Sequence, residues 1–227
     1  FAALSLKNPP AGWKPKGYTP PEPKGAKGGA LRDYTFGETV KTRQFWLLYI
    51  AYFCGAFAGL MVIGHVVKHG IDKGLSKEVA AYAASAIALT NALTRVLTGA
   101  IVDKIGSRLT FIGVFALQVI AMLVLYPAGG AAWSLWAVAA LIGWNYGAMF
   151  TLFPATTLNY YGAKNQGANY GLLFTSYGLA GLGGPWVGGL LKDSTGQYYI
   201  PFLVAGIILI VSVLIFIFIK EPKKIEA

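Results

Sequence analysis

The stretch VAAYAASAIALTNALTRVLTGAIVDKIGSR, residues 79–108, carries the deciding pattern. Its first 24 residues are apolar apart from a few small polar side chains, Asn91 and one arginine, Arg95. They give way at once to a short charged segment that holds Asp103, Lys104, Gly106 and Arg108. A helix of that length, at about 1.5 Å per residue, crosses a hydrocarbon core of about 30 Å. Five further runs of the same kind occupy residues 45–67, 109–127, 132–154, 170–191 and 200–219. The connections between them are short and hold nearly all the charges. The pattern predicts an all-α membrane protein of six transmembrane helices.

Composition agrees. Of 227 residues, 56% are hydrophobic and only 12% charged, against about 25% charged in soluble domains. A soluble two-domain protein is excluded on that ground. The net charge of +10 comes from 19 Lys and Arg against 9 Asp and Glu. Because these bases lie between apolar runs, they point to a membrane and not to nucleic acid. The single cysteine, Cys54, excludes an internal disulfide or a cysteine-based metal site.

Residues 1–44 form a different region, with six of the 11 prolines and a scatter of lysines. Such sequence buries too little apolar surface to repay ordering, so an irregular arm is expected, with a short amphipathic helix over residues 35–44. Residues 220–227 read as a polar tail. The chain opens at Phe1 without a signal peptide and is expected to be a piece of a longer protein. Fourteen of the Lys and Arg residues lie on the side of the arm, the tail and the even-numbered connections, and four, Lys68, Lys73, Lys77 and Lys192, on the other. The positive-inside rule then puts both termini in the cytoplasm.

Arg95 is the most informative residue. An arginine at that depth costs roughly 2.5–3.5 kcal/mol on insertion scales and generally faces a cavity or partner. No Asp or Glu lies in any of the six runs, and the guanidinium fork matches a carboxylate with two parallel hydrogen bonds. An anionic ligand would supply the missing charge; backbone carbonyls or an acid on a partner helix are the alternatives. Asn91 lies one turn away on the same face. Tyr177 and Tyr146 fall near the same depth, seven and eight residues from the ends of their runs, so a polar pocket walled by aromatics is expected. For each of Asn91, Tyr146 and Tyr177 alone, core packing explains the residue equally well; for Phe150 and Trp144 the evidence is thinner.

The segment after this run fits a conformational latch better than a catalytic site. Gly99 permits a close crossing, Asp103 can cap a helix or pair with a base, and Gly106 permits the tight turn before Arg108. His65 and His69 are spaced for one helix face but lack a third ligand, and read as interface residues. In the fifth run, Gly171, Gly178, Gly181, Gly183, Gly184, Gly188 and Gly189 surround Pro185. Close helix packing is the plainer reading, and a bending helix beside a transport path the sharper one. The last run, rich in Ile, Val, Leu and Phe, reads as a peripheral helix facing lipid. No nucleophile–base pair, metal cluster or phosphate loop is present, so neither an enzyme nor a cofactor is expected.

The pattern Gly99-x-x-x-Asp103-Lys104-x-Gly106-x-Arg108 resembles the loop signature of the major facilitator superfamily. The arm segment Leu6-Lys7-Asn8-Pro9-Pro10-Ala11-Gly12-Trp13-Lys14-Pro15 resembles the central loop of the oxalate–formate antiporter family within it, and Asn91-x-x-x-Arg95, Phe150-x-x-Phe153-Pro154 and Asn169-Tyr170-Gly171 fit the same family. The resemblance implies the C-terminal six-helix half of a secondary transporter in a bacterial inner membrane, with Arg95 as the carboxylate-binding arginine and Asp103 and Arg108 as the acid and base of the loop. The family's oxalate exchangers carry a lysine on the eleventh helix where Phe174-Thr175-Ser176-Tyr177-Gly178 places Tyr177. Two cations suit a dianion; one arginine and a tyrosine suit a monocarboxylate such as formate, lactate or pyruvate. Expected partners are that small carboxylate, the lipid bilayer, and an N-terminal six-helix half in the same or a separate chain. The rival expectation is a half-transporter without transport, reused as an assembly subunit of a larger membrane complex.

Overall fold

The computed structural model describes residues 33–220. The arm motif at residues 6–15 and the tail beyond Lys220 lie outside the described residues. Within them, a one-turn helix, Phe36–Thr39, precedes six long helices: α1 (Arg43–Asp72), α2 (Lys77–Ile105), α3 (Ser107–Ala128), α4 (Ala132–Tyr161), α5 (Gln166–Thr195) and α6 (Tyr199–Phe218). Five are long and apolar enough to cross a membrane on length and composition alone. The remaining one, α5, has 30 residues; its glycines dilute its hydropathy, and it packs along α1 as the sixth member of the bundle.

The helices overrun the apolar runs. α4 continues through Pro154 to Tyr161, although the apolar run ends at that proline. An apolar run records the thickness of the hydrocarbon, and a helix of 30 residues is about 45 Å long, so its ends project into the headgroup zone. A proline costs one intrahelical bond without ending a helix whose neighbours hold it. The expected amphipathic helix over residues 35–44 is instead the single turn Phe36–Thr39, closed by Glu38 Oε2 accepting from the Thr35 amide and hydroxyl at 2.8 Å each. α1 then starts at a new N-cap, Thr42, whose hydroxyl accepts from the Phe45 amide at 3.2 Å. At Gly106, φ is +82° between α2 and α3, a backbone region costly to any residue with a Cβ.

α1 is the hub, packing against α5, α6, α2 and α4. Lipid tails are as apolar as leucine, so close van der Waals contact drives association, and glycine permits the closest approach. A Cβ on Gly184 of α5 would stand 2.6 Å from the Phe57 carbonyl oxygen of α1, and one on Gly188 2.7 Å from Met61 Cγ. Close packing thus accounts for these α5 glycines, while Gly171 and Gly178 meet no neighbour within 4 Å. The α2–α4 crossing is as tight. A Cβ on Gly147 would stand 2.5 Å from the Asn91 carbonyl oxygen, and one on Gly143 would collide with the Ile87 carbonyl. Elsewhere the core is aromatic: Phe111 stacks on Phe216 at 3.8 Å and meets Phe153 edge to face at 4.9 Å, joining α3, α6 and α4. α6 exposes Ile207, Ile210, Val211, Leu214 and Phe218, the outward face of a peripheral helix.

Gly147→Ala should destabilise the bundle by about 1–3 kcal/mol, the range for overpacking a fixed interface. Gly113→Ala, where a Cβ meets nothing within 4 Å, should be neutral or slightly stabilising. Thermal unfolding of both variants in detergent checks the contrast.

Candidate functional site

Because Gly143 and Gly147 bring α2 onto α4 at backbone distance, the face of α2 that carries Asn91 and Arg95 lies beside the Tyr146–Phe150 segment of α4. The Thr151 hydroxyl donates to the Arg95 carbonyl at 3.1 Å, which fixes the register of the two helices. Arg95 Nε donates to Asn91 Oδ1 at 3.1 Å. The guanidinium carbon stands 4.4 Å from the centre of the Phe150 ring, a cation–π contact that is stronger where water is scarce. Arg95 is exposed on the bundle surface, and among the described residues its terminal nitrogens have no hydrogen bond and no carboxylate partner.

Phe150 leads from the arginine to a cluster of tyrosines. Its ring meets Tyr146 and Tyr177 edge to face, each at 5.5 Å. The Tyr146 hydroxyl donates to the Tyr177 hydroxyl at 2.9 Å, so α4 and α5 are joined by that bond, and the Tyr177 proton stays available to another acceptor. All five candidates, Asn91, Arg95, Tyr146, Phe150 and Tyr177, come together. Trp144 is not among the rings around Tyr177.

Three members escaped the sequence reading. Phe174 stacks on Tyr177 at 4.9 Å and 7°, Tyr52 of α1 lies 6.1 Å from Tyr177, and the Tyr52 and Tyr170 hydroxyls are 3.3 Å apart. Tyr52 is also stacked on Phe153 at 4.0 Å. The depth rule that picked Tyr177 would have found Tyr52, seven residues into its own run. Together these side chains form one aromatic wall with hydroxyls interspersed and a single guanidinium at its edge. Such a site can receive a small anion: two planar N–H donors for a carboxylate, tyrosine hydroxyls for a further oxygen, and apolar ring faces for the remainder.

The candidate latch residues behave differently. Gly99 meets no neighbour within 4 Å. Asp103 is exposed, and among the described residues it has no ion pair. Arg108 reaches away from Asp103 to the end of α6, with Nε donating to the Phe216 carbonyl at 3.0 Å and a terminal nitrogen to the Ile217 carbonyl. A cation at a helix C-terminus is favoured by the helix dipole, and this one ties α3 to α6. His65 and His69 each give one ring N–H to a carbonyl, Met61 at 2.7 Å and Leu125 at 3.1 Å. His69 is buried and packed among Tyr126, Tyr198 and Phe202. Asn169 has a role that the sequence did not disclose: buried, it donates to the Tyr34 carbonyl at 3.1 Å and anchors the segment before the short helix.

The chain matches the model of the Major Facilitator Superfamily in two overlapping stretches, residues 1–183 and 47–227, as a family built from repeated halves allows. It is 28% identical over 178 residues to the oxalate:formate antiporter of Oxalobacter formigenes, across 78% of this chain and 42% of that protein. It is 29% identical over 164 residues to an uncharacterized MFS-type transporter of Escherichia coli strain K12, across 71% of this chain and 40% of that protein. The chain thus spans about two fifths of the length of these curated relatives.

The Tyr146–Tyr177 hydrogen bond should give a coupling of about 0.5–1.5 kcal/mol in a double-mutant cycle of Tyr146→Phe and Tyr177→Phe. Additive losses of unfolding stability would show that the two hydroxyls act independently.

Proposed function

The chain belongs to the major facilitator superfamily, and we propose that it is the C-terminal six-helix half of a secondary transporter that moves small monocarboxylates by alternating access. Formate, lactate and pyruvate fit best, and oxalate less well. The observation that carries this reading is Arg95: a guanidinium set in an apolar helix, oriented by Asn91 and Phe150, with its terminal donors unmatched by any carboxylate among the described residues. A carboxylate accepting both donors would neutralise the charge and offset the cost of placing it there. Tyr177 would donate its free hydroxyl proton to a carboxylate oxygen or to the 2-oxygen of lactate or pyruvate, with Tyr146 donating to the Tyr177 hydroxyl behind it, and Phe150 would pack against the substrate. The relative named for oxalate and formate supports a carboxylate, and the tyrosine at position 177 supports a single negative charge.

In this reading residues 1–44 form the cytoplasmic central loop, residues 45–219 the transmembrane bundle and residues 220–227 a cytoplasmic tail in an inner membrane. The partner is an N-terminal six-helix half, in the same or a separate chain. It would cover the exposed faces of α2 and α5, where Leu89, Leu93, Val96, Leu182 and Trp186 stand free, and close the carboxylate site at the interface. Gly99, Asp103, Gly106 and Arg108 would latch the cytoplasmic side of the bundle, with Arg108 transmitting motion of the α2–α3 turn to α6.

Arg95→Ala should abolish uptake in proteoliposomes while membrane insertion and yield stay normal. Arg95→Lys should lose at least about tenfold in apparent affinity, because a point charge cannot make the paired hydrogen bonds; uptake unaffected by either change contradicts the assignment. Tyr177→Lys should shift preference toward dicarboxylates, read as the ratio of oxalate to formate uptake. An unchanged ratio would put Tyr177 outside the site.

A further inference from the structure

A second feature lies on α1 and α6, separate from the α2, α4 and α5 segments around Arg95, and does not depend on the substrate proposed above. Where the N-terminal end of α1 meets the C-terminal end of α6, a groove of 260 Å³ opens on the surface, lined by Leu47, Val211, Leu214, Phe218, Ile219 and a single charged residue, Arg43. Lys220 follows Ile219 directly, and both Arg43 and Lys220 are exposed. The ion pairs among the described residues gather on Asp72, at the far end of α1, so neither base has a carboxylate partner there. Arg108 adds a third cation at this corner and holds the groove wall in place through the Phe216 and Ile217 carbonyls.

The depth is marked independently. Trp46 is exposed one turn along from Arg43 and donates its indole N–H to the Val40 carbonyl at 2.9 Å. Tryptophan in that setting sits at headgroup level. Arg43 and Lys220 therefore stand at the phosphate layer, with the apolar groove running from them toward the hydrocarbon along the most apolar helix of the bundle. Bases at the mouth and aliphatic side chains behind them match one molecule, a phosphate with an acyl chain attached.

We propose that this groove binds an anionic phospholipid, its phosphate held by Arg43 and Lys220 and one acyl chain seated along Leu47, Val211, Leu214 and Phe218. The complete protein, stripped of lipid in detergent, is offered equal amounts of phosphatidylglycerol and phosphatidylcholine with identical acyl chains, and retained lipid is read by native mass spectrometry. Phosphatidylglycerol should be retained in preference by about five- to thirty-fold, the effect of one to two basic residues at a membrane surface. Arg43→Gln combined with Lys220→Gln should bring the ratio close to one while phosphatidylcholine retention persists, which also reports an intact fold. Leu214→Trp, filling the groove, should lower retention of both lipids. Equal retention by the unmodified protein, a ratio unchanged in the double variant, or retention indifferent to Leu214→Trp would each overturn the proposal.

Discussion

A guanidinium set in an apolar helix must be solvated by something other than water, and the α2–α4 face of this bundle is arranged around that requirement. Arg95 receives one acceptor from Asn91, a turn away on its own helix, and a ring face from Phe150 on the neighbouring helix. Those two contacts hold the charge in one orientation without cancelling it, since an amide oxygen and a ring quadrupole are both weaker partners than a carboxylate. The remaining attraction is directed outward, at the surface of the half-bundle, where a ligand or a second half can meet it.

That arrangement depends on helix packing that only small residues allow. α2 approaches α4 at backbone distance because Gly143 and Gly147 present no Cβ, and α5 approaches α1 in the same way at Gly184. Asn91, whose carbonyl lines the contact with Gly147, is thus a packing residue on its backbone side and a partner of Arg95 on its side-chain side. The two linked tyrosines, Tyr146 and Tyr177, stand on helices that belong to these two different pairs. A small shift of the α1–α5 pair against the α2–α4 pair would part their hydroxyls, so the aromatic wall is also the place where motion within the half would be felt.

Much of this was legible in the chain. Six apolar runs of bilayer length define six helices because the solvent imposes that length, and an arginine in such a run is conspicuous because it is costly. Gly106 could be read as a turn because nothing else takes φ of +82° without strain. Other features were hidden for identifiable reasons. Tyr52, Tyr170 and Phe174 belong to the wall, yet an aromatic ring in an apolar run looks the same whether it faces lipid, core or ligand. Helix ends lay beyond the runs, since hydropathy registers the hydrocarbon and not the backbone. The partners of Arg108 are two carbonyls more than a hundred residues away, which no local spacing discloses.

In the proposed function the Arg95 site receives a carboxylate because of its charge. The most direct measurement is uptake of labelled formate, lactate and pyruvate by proteoliposomes of the complete protein, each challenged with unlabelled carboxylates or with the matching neutral amides. Saturable uptake of at least one of the three, suppressed by carboxylates and untouched by amides of the same shape, is the predicted result. Uptake of none of them, or suppression by the amides as strong as by the acids, would contradict it.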